Sequence, residues 1–173
     1  MNFNAAICTS TTSTYNQVFA VLPGSDLTDK SIILLEGHID SRCNDQCNTA
    51  SNAPGVSDNA TGSALVIELA RILTQYNLKA TVVFLLTIGE EQGLVGSTAF
   101  ANYLYNKSRS VRMVMNNDIA GTTLCGPFSS SPNCVPNNIA DRSMRIFSYG
   151  STNSIHKQLA RYIKLEYNEQ ISP

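Results

Sequence analysis

Four short segments hold one histidine and five carboxylates: Gly37-His38-Ile39-Asp40-Ser41, Ser57-Asp58-Asn59-Ala60-Thr61-Gly62, Gly89-Glu90-Glu91-Gln92-Gly93 and Asn116-Asn117-Asp118. If the fold gathers them, their unneutralised charges would repel one another by several kcal/mol at a low effective dielectric. Such a cluster calls for a cation. Mixed imidazole and carboxylate donors suit zinc or a similar divalent metal, whereas an all-oxygen set would suit magnesium or calcium. Taken singly, each carboxylate is as well explained by a solvated acidic surface. Four such segments, each at the end of an expected strand or at a helix start, make that explanation poor.

The elements that must position them follow from hydrophobic period. Val18 to Leu22, closed by Pro23-Gly24, reads as a strand, and Ser31 to Glu36 as a more buried one. A loop from Ser41 to Val56 follows. From about Asn59 to Tyr76, Glu68, Arg71 and Gln75 fall on one stripe at helical spacing, with Leu65, Val66, Leu69, Ile72 and Leu73 covering the remainder. The run Thr81 to Ile88 is apolar and β-branched, as in strands covered on both faces. Ser97 then reads as the N-cap of a helix through Phe100 and Leu104, and Val111 to Met115 as the next strand. An irregular stretch from Gly121 to Gly150 precedes a last helix marked by Ile155, Leu159, Tyr162 and Ile163. Alternating strands and helices predict an α/β domain, three layers in αβα order around a mostly parallel mixed sheet. Its ligand site belongs at the carboxyl ends of the strands, where the four segments fall.

With GHIDS, APG-x-SDNATG opening a helix, an apolar strand ending in GEEQGLVGS, and N-x-D-x-x-G at Asn116 to Gly121, the chain resembles the secreted di-zinc aminopeptidases of peptidase family M28. The resemblance covers roughly Val18 to Gly121. It implies the zinc-exopeptidase fold, a peptide substrate and two zinc ions bridged by Asp58. His38 and Asp118 would complete the protein ligands of one ion and Glu91 would serve the other. Asp40 would hold His38, because a carboxylate accepting the second ring N–H fixes tautomer and orientation. Glu90 would be the general base, taking a proton from water and later giving it to the leaving amine. The resemblance also implies a cis peptide between Asp58 and Asn59. Asn59-Ala60-Thr61 reads as a glycosylation sequon, but a place beside the metals argues against its modification.

The family's fifth protein ligand is a histidine beyond the N-x-D motif, and His156 is the remaining histidine of the chain. It comes too soon after Asp118 and flanks the apolar face of the last helix, so a surface or helix-start role is expected. The second metal then has only Asp58 and Glu91, fewer than the three protein ligands usual for catalytic zinc. The expectation is therefore one catalytic domain over 1–173 that forms the amino-terminal part of a larger one, retaining a metal site with weak or no turnover. Two alternatives stand beside a peptidase: a glutaminyl-cyclase-like acyltransferase with a single zinc, and a catalytically silent binding module like the transferrin receptor. Retention of His38, Asp58, Glu90, Glu91 and Asp118 together weighs against silence.

Composition narrows the partners. The 173 residues include 12 Lys and Arg against 13 Asp and Glu, giving a net charge of −1 without the basic excess that nucleic acid requires. No apolar run is long enough to span a bilayer, and the start shows no leader pattern; a secreted or periplasmic location is expected, and if the protein is exported its signal has been removed. Cys43 with Cys47 and Cys125 with Cys134 would each close a short polar loop, as disulfides do in an oxidising compartment. Free thiols and structural zinc are the competing readings, and Cys8 is left over.

Overall fold

The computed structural model describes residues 1–9, 11–120 and 145–171, and the chain forms two compact units, Met1–Thr122 and Thr123–Pro173. The first unit carries strands β1 (Asn2–Ala5), β2 (Ser13–Asn16), β3 (Val18–Leu22), β4 (Ser31–His38), β5 (Thr81–Thr87) and β6 (Ser110–Asn116), with helices α1 (Thr61–Leu73) and α2 (Val95–Asn106). β1 and β2 pair antiparallel as a separate hairpin. The other four strands form one sheet in the order β3-β5-β4-β6, parallel except for β3, which runs antiparallel to β5.

Alternation along β4 and β5 divides the core in two. Ile32, Leu34, Val83 and Leu85 pack on one face with Phe100 and Leu104 of α2. Leu35, Val82 and Phe84 pack on the other with Val66 of α1, flanked by Ile33, Leu69 and Leu73. Both faces of the sheet are therefore covered and the three-layer αβα order is realised. Fully burying a side chain such as Phe100 or Leu85 contributes about 1.5–3 kcal/mol, so these two helices hold the strand ends in register. The α2 side is reinforced by an edge contact between Phe19 and Phe100, ring centroids 5.5 Å apart.

Two expectations about local structure are corrected. α2 begins at Val95 with Leu94 in the capping position at φ 60°, and Ser97 lies inside the helix, its hydroxyl donating to the Leu94 carbonyl. The first turn packs tightly there: Gly96 sits against the carbonyl of Ile88, where a Cβ would collide. On α1, Leu65 and Ile72 stay more than one-third exposed, because the sheet contact is met by Val66, Leu69, Ala70 and Leu73.

The expected Cys43–Cys47 bridge is also overturned. Cys47 is bonded to Cys8, and Cys43 keeps a free thiol against the carbonyls of Asp45 and Asn48. The bridge ties the segment after β1 to the loop that follows β4. Cys125 and Cys134 lie outside the described residues.

In the second unit, α3 (Ile155–Gln170) starts at Ser154, whose side chain accepts from the Lys157 N–H, and none of its residues is buried. His156 is exposed in its first turn, in accord with a helix-start role. No helix among the described residues is long and apolar enough to cross a membrane.

Candidate metal centre

β4 ends on His38, and the parallel strands on either side of it, β5 and β6, end level with it: Thr87 pairs with His38, and Asn116 with Glu36. The segments that follow these strands therefore meet at one rim. His38 is 2 % exposed, with Nε2 3.1 Å from Asp58 Oδ1 and 3.5 Å from Asp118 Oδ1. Suitable donor atoms of His38, Asp58 and Asp118 all lie within 4.8 Å of one another.

The tautomer of His38 follows from its other nitrogen. Nδ1 lies 3.0 Å from the backbone carbonyl of Asp40. A carbonyl can only accept, so Nδ1 carries the hydrogen and neutral Nε2 turns a lone pair toward two carboxylates. Despite their closeness, Nε2 and Asp58 Oδ1 are both buried without a hydrogen-bond partner. With His38 neutral, three acceptors face one another with no donor between them, an arrangement that either a proton on Nε2 or a divalent cation resolves. The donor set fits zinc: one imidazole nitrogen and two carboxylate oxygens.

Asp40 acts differently from the expected histidine-holding carboxylate. Its backbone carbonyl orients the ring, while its side-chain oxygen stands 3.7 Å from Nδ1. The carboxylate instead accepts the backbone N–H groups of Glu90 at 3.2 Å and Glu91 at 3.1 Å. One residue therefore fixes both the histidine and the glutamate pair. Burial raises the Glu90 carboxyl above the ordinary carboxylate range; His38 opposes this, and the charges of Asp118, Glu91 and Asp40 add to it. Burial alone would lower His38, but Asp118, Glu90 and Asp40 outweigh it and raise its basicity.

Glu91 is not gathered with His38, Asp58 and Asp118. Its carboxylate, 9 % exposed, pairs with the Arg42 guanidinium at 2.6 Å. No spacing or motif singles out Arg42 in the sequence.

Asn59, joined to Asp58 by a cis peptide, is also more than a neighbour of the metals. Its side chain is 1 % exposed; Nδ2 donates to the Asn117 carbonyl at 2.8 Å, and Oδ1 accepts from the N–H groups of Gly62 and Ile119, each at 3.1 Å. That amide clamps the start of α1 to the end of β6 and so sets Asp58 against Asp118. The approach is close enough that a Cβ on Gly62 would collide with the Asn117 carbonyl. Ile119, directly after Asp118, is held at φ 52°, an uncommon conformation for a β-branched residue that the Asn59 hydrogen bond helps to maintain. A cavity of about 370 Å³ on the α2 face, lined by Phe19, Val83, Phe100 and Lys107, touches none of these residues, whereas one of about 250 Å³ is lined in part by Asp40, Gly89 and Gln92.

Acceptors converging at the carboxyl ends of parallel strands, on a sheet sandwiched by helices, define an α/β domain with a candidate metal centre. The profile of Peptidase family M28 matches residues 17–170, and the chain belongs to that family. Among curated proteins, a probable zinc metalloprotease from Pyrenophora teres f. teres is 41% identical over 110 residues, 64% of this chain and 23% of that protein. A second probable zinc metalloprotease of the same fungus is 33% identical over 155 residues, 84% of this chain and 33% of that protein. The chain thus spans between about a quarter and a third of the length of these relatives. Among solved structures, an aminopeptidase from an Aneurinibacillus strain superposes with a TM-score of 0.51 at 27% identity, over 65% of this chain and 26% of that one. A glutaminyl cyclase from an Acidobacteriales bacterium gives 0.60 at 17% identity, over 70% and 43%, and shares the fold.

Proposed function

We propose that the whole protein is a zinc-dependent exopeptidase that removes amino-terminal residues from peptides. The observation that carries this reading is the convergence of His38 Nε2 with the carboxylates of Asp58 and Asp118, two of whose atoms, His38 Nε2 and Asp58 Oδ1, are buried without a partner, beside a half-buried glutamate of raised pKa. In this reading His38, Asp58 and Asp118 hold one zinc ion, and Asp58 with Glu91 contributes to a second. Zinc, when bound, supplies a Lewis acid for the scissile carbonyl and lowers the pKa of water. Glu90 accepts the proton of the attacking water and returns it to the leaving amine, a role suited to a carboxyl whose pKa burial raises. Asp40 positions both ends of this arrangement, through its carbonyl on His38 and its carboxylate on the Glu90 and Glu91 N–H groups.

Because Glu91 is paired with Arg42, the 173-residue chain is expected to bind one ion well and to turn over peptides weakly or not at all. The same pairing favours one second reading, a single-zinc acyltransferase that cyclises amino-terminal glutamine. Export of the protein is supported by the Cys8–Cys47 disulfide, since such bonds persist in oxidising compartments.

The test is hydrolysis of aminoacyl-nitroanilides alongside zinc analysis of the full-length protein. Glu90→Gln should abolish hydrolysis and leave zinc bound. A normally active variant would remove Glu90 from its role, and cyclisation of glutaminyl peptides without hydrolysis would favour the acyltransferase.

A further inference from the structure

The chain contains two Asn-x-Ser/Thr sequences, Asn59-Ala60-Thr61 and Asn106-Lys107-Ser108. Both match the acceptor pattern for N-linked glycans, but the fold treats them in opposite ways. The Asn59 nitrogen is committed to the Asn117 carbonyl at 2.8 Å in a side chain 1 % exposed, where no sugar fits without dismantling the rim. Asn106 is the exposed last residue of α2. The chain then leaves the helix through exposed Ser108 at φ 51°, whose N–H donates to the Tyr105 carbonyl, and the Arg109 N–H returns to Leu104. Among the described residues, neither the Asn106 amide nor the Ser108 hydroxyl has a hydrogen-bond partner. The acceptor nitrogen and the hydroxyl two residues on are therefore both free at a helix end.

Placement also leaves the rim undisturbed. α2 starts directly after the Glu90 loop and runs 12 residues, about 18 Å at 1.5 Å per residue, toward the far edge of the sheet. β6 then begins at Ser110, paired with Ser31 at the amino end of β4. The Cys8–Cys47 disulfide independently marks a chain built for an oxidising secretory environment.

We propose that Asn106 is an N-glycosylation site of this protein and that Asn59 is not. The proposal rests on the exported reading above. The donor is a lipid-diphosphate-linked oligosaccharide: Asn106 Nδ2 forms a bond to the anomeric carbon, the bond from that carbon to the diphosphate oxygen breaks, the lipid diphosphate leaves, and the amide gives up one proton.

The experiment expresses the full chain behind a supplied signal peptide in a eukaryotic secretory host. Glycans are mapped by peptide mass after enzymatic release, on both secreted and cell-retained protein. The expected result is a single glycan, at Asn106, which disappears in Asn106→Gln and in Ser108→Ala while zinc binding stays unchanged. An unmodified Asn106, or folded and disulfide-bonded protein bearing a glycan at Asn59, would overturn the proposal. Because the host supplies export, this outcome is separate from where the native protein resides and from its peptidase activity.

Discussion

The two halves of the rim are built from similar residues and end in different states. On one side His38, Asp58 and Asp118 converge because β4 and β6 are adjacent parallel strands and because Asn59 bolts the start of α1 to the end of β6. On the other side Glu91, equally well placed in sequence, is claimed by Arg42. Preorganisation therefore comes from the hydrogen-bonded frame beneath the ligands more than from the ligands themselves. The frame under the first half holds side-chain acceptors together against their repulsion; under the second, Asp40 fixes only the backbone N–H of Glu91, and a nearby cation takes its carboxylate.

The largest expected effect comes from removing a member of the converged half. His38→Ala should abolish tight zinc binding, because two carboxylates alone fall short of the three protein ligands usual for zinc. Calorimetric titration of the metal-free protein checks this. Next, Asn59→Ala leaves the Asn117 carbonyl and two N–H groups without partners in a buried place. It should lower stability by about 2–4 kcal/mol and weaken zinc binding although no ligand is touched, measured by denaturant unfolding and the same titration.

A smaller effect sharpens the contrast from the other side. Arg42→Ala frees Glu91 and removes a positive charge, so affinity for a second ion should rise by about tenfold, the worth of about 1.4 kcal/mol. An unchanged second-site affinity would mean that Arg42 is not what keeps Glu91 away.

The smallest effect concerns pH. Burial raises the Glu36 carboxyl, so the folded state favours its protonated form. Its contribution is full below the ordinary carboxylate range and is lost as pH rises through the higher folded value. His38, also raised, has the same sign starting from the ordinary imidazole range. The metal-free protein should therefore lose stability from mildly acid to neutral pH, and Glu36→Gln should flatten the lower part of that fall in thermal unfolding.

Much of this frame was legible in the sequence. Strong apolar runs marked β4 and β5, and the position of three acidic segments after strands and of the fourth at a helix start predicted the shared rim. What escaped notice depends on contacts between segments far apart in the chain. The β1–β2 hairpin is made of short polar strands, NFNA and STYN, with little alternation to reveal it. The Cys8–Cys47 pairing spans 39 residues, so proximity in sequence favoured Cys43 wrongly. Asn59 read as a sequon and a metal neighbour, since its three partners lie on Gly62, Asn117 and Ile119 and become visible only when β6 docks. Arg42 carried no signal, because any basic residue in a polar loop has solvent as its default partner.

The most direct test of the central claim is a zinc titration comparing the wild-type chain with His38→Ala and Arg42→Ala under identical conditions. The account predicts one tight ion in the wild type, loss of that ion in His38→Ala, and its retention in Arg42→Ala. Equal zinc binding by wild type and His38→Ala would contradict it.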